Sequence, residues 1–269
     1  MAISRRKEGS ETLLNTKGFL TILKQCHLSG IVEECELKIN KGKGKIEAID
    51  ISNQIMVVTE QKVISDHNFK NVIGLSNLEL LLKFVQSLDS EGEEVAIEFD
   101  RKHMVLRAQK KRKSLDYILT NPDLIMTKPE YDEGESPHNK IFSLMKYNAP
   151  LSSSIIKDFL SYISLLKTKD TAIILDKKKI SFICGGHLEH QITLELKNRA
   201  NKKAKSSFQT KVNGDHLAKV LQTIDYDSDE PPEIHLAQGK PVMITCSKTS
   251  WALMPLSGEE EEEEEDEDD

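Results

Sequence analysis

Apolar residues recur along the chain with two spacings, one helical and one strand-like. Four segments carry apolar residues three or four positions apart, which is the spacing of a helix with one buried face. They run from about Thr16 to Leu28, Asn77 to Leu88, Ser152 to Leu166 and Gly214 to Ile224. The apolar stripes are Phe19, Ile22, Leu23 and Cys26; Leu78, Leu81, Leu82, Val85 and Leu88; Ile155, Ile156, Phe159, Leu160, Ile163 and Leu166; and Leu217, Val220, Leu221 and Ile224. We predict four amphipathic helices.

Strand-like alternation fills most of the chain between these helices. The first half has such runs at Cys35–Ile39, Lys45–Ile49, Ile55–Thr59, Val95–Phe99 and Met104–Leu106. The second half has them at Ala172–Leu175, Lys179–Ile183, Gln191–Leu196, Ser207–Val212, Glu233–Leu236, Val242–Ile244 and Trp251–Leu256. The glycines of the Lys41–Lys45 segment mark a turn between two of the strands.

The order of helix-like and strand-like segments occurs twice along the chain. The two helix starts of the first half are nearly as far apart as those of the second half, and Gln86-Ser87-Leu88-Asp89 is answered by Gln222-Thr223-Ile224-Asp225. Equal spacing with matched flanks indicates a duplicated unit. We therefore predict an α+β fold of two similar domains, each with two helices packed on antiparallel sheet. The expected domains are 1–118 and 141–258, joined by a proline-containing connector at 119–140.

The charge is unevenly distributed. The 269 residues carry a formal charge of −7, but removing the eleven negative charges of Glu259–Asp269 leaves +4 for the rest of the chain. So many adjacent like charges with nothing to bury predict a disordered, solvated tail at 259–269. This tail is either a solubilising extension or a screen that limits contact with partners or DNA.

No constellation of residues indicates catalysis, a cofactor or a metal. Four scattered cysteines form no C-x-x-C pair, and His187 and His190 would point to opposite faces of a strand. Asp225–Asp229 starts like a calcium loop but lacks the glycine and the final glutamate of one. The sequence has no apolar stretch long enough to predict a membrane span. We expect a non-enzymatic intracellular protein.

A lysine lies on the polar face of every predicted helix. These residues are Lys17 and Lys24 in the first helix, then Lys83, Lys157 and Lys219 in the others. Lysines attract phosphate without identifying bases, and the chain has neither an arginine-rich helix nor rows of aromatic residues for base stacking. The pattern predicts sequence-independent contact with DNA.

The layout resembles the DNA sliding clamps, which include proliferating cell nuclear antigen and the clamps of T4-like phages. The strings that look alike are Lys45–Asp50, Ile73-Gly74-Leu75, Pro241-Val242, and Trp251–Leu256 before an acidic stretch. The resemblance implies a homotrimeric ring that encircles duplex DNA, holds the DNA polymerase, and is opened by a clamp loader. It also implies a place with the replicating DNA, in the host cytoplasm if the chain is viral.

In sliding clamps, other replication proteins insert short peptides into an apolar pocket beneath the interdomain connector. The resemblance places Ile49, Gln54, Met56, Leu124, Ile125, Pro241, Met254 and Pro255 at this pocket.

Two other functions fit the same pattern. One is a polymerase accessory subunit of the same fold that stays monomeric and holds DNA by charge alone. The other is an acidic-tailed chaperone of basic proteins, in which the tail performs the binding.

Overall fold

The same order of elements occurs in both halves of the chain. The computed structural model describes residues 12–89, 94–100, 102–108, 113–129, 136–185, 190–224, 226 and 230–256. The N-terminal half forms β1 (Thr12–Leu13), α1 (Thr16–His27), β2 (Cys35–Asn40), β3 (Lys43–Ile49), β4 (Ile55–Lys62), β5 (Lys70–Leu75), α2 (Leu78–Asp89), β6 (Val95–Phe99), β7 (His103–Ala108) and β8 (Ser114–Ile118). After α3 (Pro137–Leu144), the C-terminal half forms β9 (Tyr147–Pro150), α4 (Ser153–Leu166), β10 (Asp170–Asp176), β11 (Lys179–Cys184), β12 (Ile192–Glu195), β13 (Phe208–Asn213), α5 (Gly214–Thr223), β14 (Glu233–Leu236), β15 (Val242–Cys246) and β16 (Thr249–Leu253). Each strand of the first half thus has a counterpart eight strands later.

The four predicted helices are present, and a capping side chain marks each of their starts. The side chains of Asn15, Asn77, Ser152 and Asn213 accept hydrogen bonds from backbone N–H groups in the first turns of α1, α2, α4 and α5. The predicted apolar stripes of α1 and α2 are buried throughout. Leu160 and Leu166 of α4 are only half-buried, because they lie at the margin of the core.

Every strand pairing is antiparallel, and the strands form three sheets in the described part of the chain. One sheet has eight strands in the order β5-β2-β3-β4-β16-β15-β14-β9, while β1-β6-β7-β8 and β12-β11-β10-β13 form two smaller sheets. The large sheet joins the two halves through β4 and β16, where Ile55 pairs with Leu253 and Thr59 with Thr249. The α+β prediction is confirmed, with the addition that one sheet is shared between the halves.

A buried polar network crosses the junction between β4 and β16. The hydroxyls of Thr59 and Thr249 both donate to Gln25 Oε1 at 2.8 Å, and the Trp251 indole N–H donates to the Gln25 backbone carbonyl at 3.1 Å. All four side chains are buried. Because an unpaired polar group is costly in this environment, the network fixes α1 over the shared sheet.

The connector contains more regular structure than the sequence predicts. The prolines of 119–140 argue against regular structure, but Pro122–Leu124 forms a 3₁₀ turn and α3 begins at Pro137. Proline is compatible with the first turn of a helix because the N–H it lacks would have no helical partner there. Helix α3 also extends past the predicted connector end at 140.

The sequence pattern does not predict four of the strands. Strand β1 has only two residues, β5 and β8 alternate weakly, and β9 contains Pro150, which normally argues against a strand. Strand β9 tolerates proline because it lies at the edge of the large sheet. The final strand ends at Leu253 and not at Leu256.

Candidate nucleic-acid interface

The four long helices form one layer in the order α2-α1-α5-α4. Helix α1 contacts α2 on one side and α5 on the other, and α5 contacts α4. On its sheet side the layer rests on the strands: α1 contacts β3 and β4, α5 contacts β10, β13 and β16, and α4 contacts β11 and β12. The layer crosses from one half of the chain to the other without interruption, and its outer face carries the predicted lysines.

Two of the predicted lysines line grooves between helices. Lys24 lines a groove of about 480 Å³ between α1, α2 and α5, together with Thr21, Gln86 and Gln222. Lys219 lines a groove of about 430 Å³ between α4 and α5, which Gln222 also lines. Gln222 therefore joins the grooves of Lys24 and Lys219 into one surface, which apolar side chains and Asp215 also line.

The other three lysines are exposed but line neither groove. Lys17 and Lys157 extend from α1 and α4. The Lys83 ammonium lies 2.5 Å from the Glu79 carboxylate, one helical turn earlier, and both side chains are exposed. This ammonium lowers the pKa of Glu79 mainly through their hydrogen bond. Lys83 thus brings less net positive charge to the layer than the sequence pattern alone indicates.

Sequence reasoning missed His27, which lies in the last turn of α1 and lines the first groove. Burial lowers its pKa, an effect that Glu79 and Glu33 oppose and that Lys219 reinforces. The neutral imidazole can hydrogen-bond a phosphate or a bridging water but adds no positive charge. The available signal was its position at the basic end of the helix, which did not separate it from an ordinary capping residue.

The residues predicted for peptide binding separate into two groups. Ile49, Met56 and Met254 meet in a small apolar cluster on the large sheet with Met243 and Ala252. Gln54 lies next to it, because its carbonyl accepts a hydrogen bond from the Met254 N–H at 2.8 Å. Pro241 is half-buried and Pro255 is exposed.

Leu124 and Ile125 lie elsewhere. Their 3₁₀ turn packs beside β5, three strands from β4, with Leu124 68% exposed and Ile125 buried. The connector then crosses β2 and reaches β3, where the Ile49 N–H donates to the Thr127 carbonyl at 2.7 Å. Within the described residues 119–129, the Thr127 end approaches the apolar cluster.

Helix α3 covers the apolar cluster. Ile141 and, just past the end of the helix, Met145 pack on it. His138 hydrogen-bonds to Ser250, and the Phe142 ring lies 5.4 Å from the His235 ring. No residue of α3 is itself buried, and Phe142 and Leu144 are each 45% exposed. Helix α3 therefore contacts the cluster through a few side chains and remains largely exposed.

Other candidate sites from the sequence gain no support from the described residues. Among them, no group of three or more His, Cys, Asp or Glu side chains could hold a metal ion. His187, Asp225, Asp227 and Asp229 lie outside the described residues, as does the acidic tail at 259–269. The Lys41–Lys45 segment is the predicted turn, between β2 and β3. No described helix has the length and hydropathy needed to cross a membrane.

No family model matches the sequence, and no curated protein matches it either. Several solved structures match the fold of the chain. Proliferating cell nuclear antigen (PCNA) from Thermococcus kodakaraensis has a TM-score of 0.69 and 13% identity, covering 91% of this chain and 99% of that one. PCNA from A. fulgidus, bound to the C-terminal region of FEN-1, has a TM-score of 0.69 and 14% identity, with 93% and 99% covered.

A bacterial protein matches to a similar degree. A putative DNA polymerase III beta subunit from Eubacterium rectale has a TM-score of 0.71 and 12% identity, covering 96% of this chain and 68% of that one. These matches span nearly all the described elements, while the identities are too low to carry function. The chain therefore has the fold of the DNA sliding clamps, as the resemblance in its sequence implied.

Proposed function

We propose that this chain is a sliding clamp: a non-enzymatic processivity factor that encircles double-stranded DNA and holds a DNA polymerase to it. The observation that carries the proposal is the uninterrupted helix layer, which presents Lys24, Gln222 and Lys219 on one surface. Lysine and glutamine contact phosphate without selecting a base sequence. An encircling ring needs few such contacts, because its topology rather than its affinity prevents dissociation.

The sheet topology supports closure of several chains into a ring. Within the chain, β4 pairs with β16 to make the large sheet. The counterparts of these strands in the other half are β12 and β8, and each of them has a partner on only one side in the described structure. Pairing β12 of one chain with β8 of the next would build a second eight-stranded sheet with the same strand plan.

This pairing is head-to-tail, so each chain uses two different surfaces and the assembly closes only after a fixed number of copies. The resemblance to PCNA favours three copies, and the match covers 99% of the PCNA chain from Thermococcus kodakaraensis. The domains at 1–118 and 141–258 and the connector at 119–140 remain part of this proposal, with α3 spanning the boundary at 140.

Peptides of other replication proteins are the proposed ligands of the apolar cluster around Met56. The A. fulgidus relative binds the C-terminal region of FEN-1, and Ile49, Met56, Met254 and Gln54 lie together here. Because α3 covers this cluster, an entering peptide has to share the surface with α3 or replace it. A clamp loader is expected for the same reason as in other rings: a closed circle cannot thread onto DNA without ends.

Retention on DNA tests the ring directly. The purified chain is placed on nicked circular duplex DNA with a clamp loader from a matched system, and the DNA is then linearised in moderate salt. A ring stays on the circle and slides off the linear form. Equal retention on both forms would contradict the ring and favour the monomeric accessory subunit. Binding to histones that requires only the acidic tail would favour the chaperone.

A further inference from the structure

A strongly basic surface lies away from the helix layer, and the proposed function does not use it. It is built from the β10–β11 turn and the loop between β12 and β13. We call it the basic platform, and its members are Lys177, Lys178, Lys179, Lys197, Arg199, Lys202, Lys203 and Lys205, all exposed. In the described structure, Lys179 alone among them makes an ion pair, with Glu195 at 3.4 Å.

The platform has a defined backbone. The N–H groups of Ala200 and Ala204 donate to the carbonyls of Lys178 and Lys177 at 2.9 and 2.8 Å, and both alanines are buried. Asn201 and Asn148 exchange two hydrogen bonds that tie the loop to β9. The two segments are thus fastened together. Their basic side chains are held near one another although mutual repulsion would favour separation.

The last described residues run toward this platform. The Met254 N–H donates to the Gln54 carbonyl, and the Gln54 side chain accepts from Asn213 at the end of β13. Two residues later, the Leu256 N–H donates to the Lys211 carbonyl at 2.9 Å. The chain is therefore moving antiparallel to β13 along the edge that faces away from β10. Continued in that direction, β13 leads back through Phe208 to Lys205.

We propose that the acidic run Glu259–Asp269 binds the basic platform of its own chain. The antiparallel course from the pair of Leu256 and Lys211 leads along β13 to Phe208, where the loop that carries Lys203 and Lys205 ends. An extended chain advances about 3.3 Å per residue, so residues 257–269 have ample reach. The tail carries eleven carboxylates and the platform eight basic groups, of which Lys179 is paired with Glu195.

Covalent attachment favours this occupant over a free polyanion. A segment joined by a short linker acts at an effective concentration on the order of millimolar, which few free ligands reach. The platform would then be closed to the phosphates of DNA while the tail is bound, and the contact would weaken as salt rises. Nonspecific DNA binding would be confined to the helix layer.

Zero-length carbodiimide crosslinking of the full chain, followed by peptide mass spectrometry, tests the contact without relying on clamp function. We expect the carboxylates of 259–269 to link to Lys177, Lys178, Lys202, Lys203 and Lys205, and not to the equally exposed Lys41, Lys62 and Lys70. Absent links, or links spread evenly over all these lysines, would overturn the proposal. Mixing light and isotope-labelled chains identifies links between copies, and a majority of mixed links would also overturn it.

A second measurement uses a 20-base-pair duplex as the probe at low salt. Replacing all acids of 259–269 by Gln or Asn keeps the length of the tail, and we expect it to strengthen duplex binding roughly tenfold. In a chain that also carries Lys202→Glu, Lys203→Glu and Lys205→Glu, the same replacement should have no effect. The matched control carries Lys41→Glu, Lys62→Glu and Lys70→Glu and should keep the gain. A gain that survives the platform substitutions, or protection of the platform lysines by DNA while the tail is intact, would refute the proposal.

Discussion

Gln25 Oε1 accepts a hydrogen bond from the Thr249 hydroxyl at 2.8 Å, although the two residues lie 224 positions apart in the chain. Gln25 belongs to the first helix and Thr249 to the last strand, so one buried oxygen ties the two ends of the fold to the same point. The neighbouring Thr59 hydroxyl donates to that oxygen from the other side of the strand pair. The junction of the halves is thus held by polar as well as apolar contacts.

We expect Gln25→Ala to lower the free energy of unfolding by about 2 kcal/mol, because two buried hydroxyls lose their shared acceptor and a cavity opens. The midpoint of urea unfolding measures the change. Gln86→Ala, which removes an exposed amide from α2, is the control and should leave the midpoint almost unchanged. Equal midpoints for both variants would show that the network contributes no stability.

Lys24→Ala should weaken association with duplex DNA more than Lys83→Ala. Lys24 lines the groove between three helices, whereas the Lys83 charge is already paired with Glu79. Each lost phosphate contact reduces the slope of log affinity against log salt by about 0.9. We therefore expect a change of roughly that size for Lys24→Ala and a smaller one for Lys83→Ala. Titrations of a fluorescent duplex at several salt concentrations give both slopes, and identical slopes would count against the interface.

Ile118→Asp should weaken assembly. Ile118 ends the edge strand β8 and is 70% exposed, so a charge there has little effect on folding but lies at the proposed contact with β12. Light scattering during size exclusion should give a mass near three chains of 30.4 kDa for the natural sequence and a lower mass for the variant. Ile51→Asp, in the turn between β3 and β4 and 76% exposed, is the matched control and should keep the larger mass. A trimer that tolerates Ile118→Asp would argue against the β8–β12 contact.

Attachment of α3 should weaken below neutral pH. Burial lowers the pKa of His138 below 6.5. Lys45 reinforces this shift, and Asn139 and Glu47 oppose it. Burial also lowers the pKa of His235 below 6.5, and Glu233 opposes that shift. A lowered pKa means that the docked state prefers the neutral imidazole. Stabilisation is therefore full above pH 6.5 and is lost as the pH falls from 6.5 through the depressed values.

Hydrogen exchange of the α3 amides, corrected for intrinsic rates, measures this opening. Exchange should accelerate between pH 7.5 and 5.5, and His138→Gln should reduce the acceleration. His67→Gln alters an exposed histidine and serves as the control. Exchange that stays constant over this range would exclude a role for His138 and His235 in holding α3.

The sequence predicts what depends on local periodicity. The stripes of α1 and α2, with Phe19 and Leu81 as examples, mark their helices because each buries one face, and the duplication follows from comparing the halves. Helix α3 and strand β9 escape because their local signals, prolines among them, point away from regular structure. The pairing of β4 with β16 and the burial of Gln25 depend on contacts far apart in the chain, which no local pattern encodes.

Part of the candidate site could be predicted because it also depends on local periodicity. Helical spacing puts Lys24 and Lys219 on polar faces and Glu79 one turn before Lys83, but it does not show that Gln222 joins the grooves of Lys24 and Lys219. The resemblance grouped Leu124 and Ile125 with Met56, whereas the described connector keeps them near β5. Placing a connector requires its contacts, such as the bond from Ile49 to Thr127.

The junction of β4 and β16 has a mechanical consequence. In a ring of such chains, contacts between halves of one chain would alternate with contacts between neighbouring chains. The β4–β16 contacts are reinforced by covalent continuity and by the Gln25 network, whereas the β8–β12 contacts depend on association alone. Force applied to the ring would therefore break a β8–β12 contact first. We expect the gate for DNA entry to open between β8 and β12, while each chain moves through the cycle as one stiff crescent.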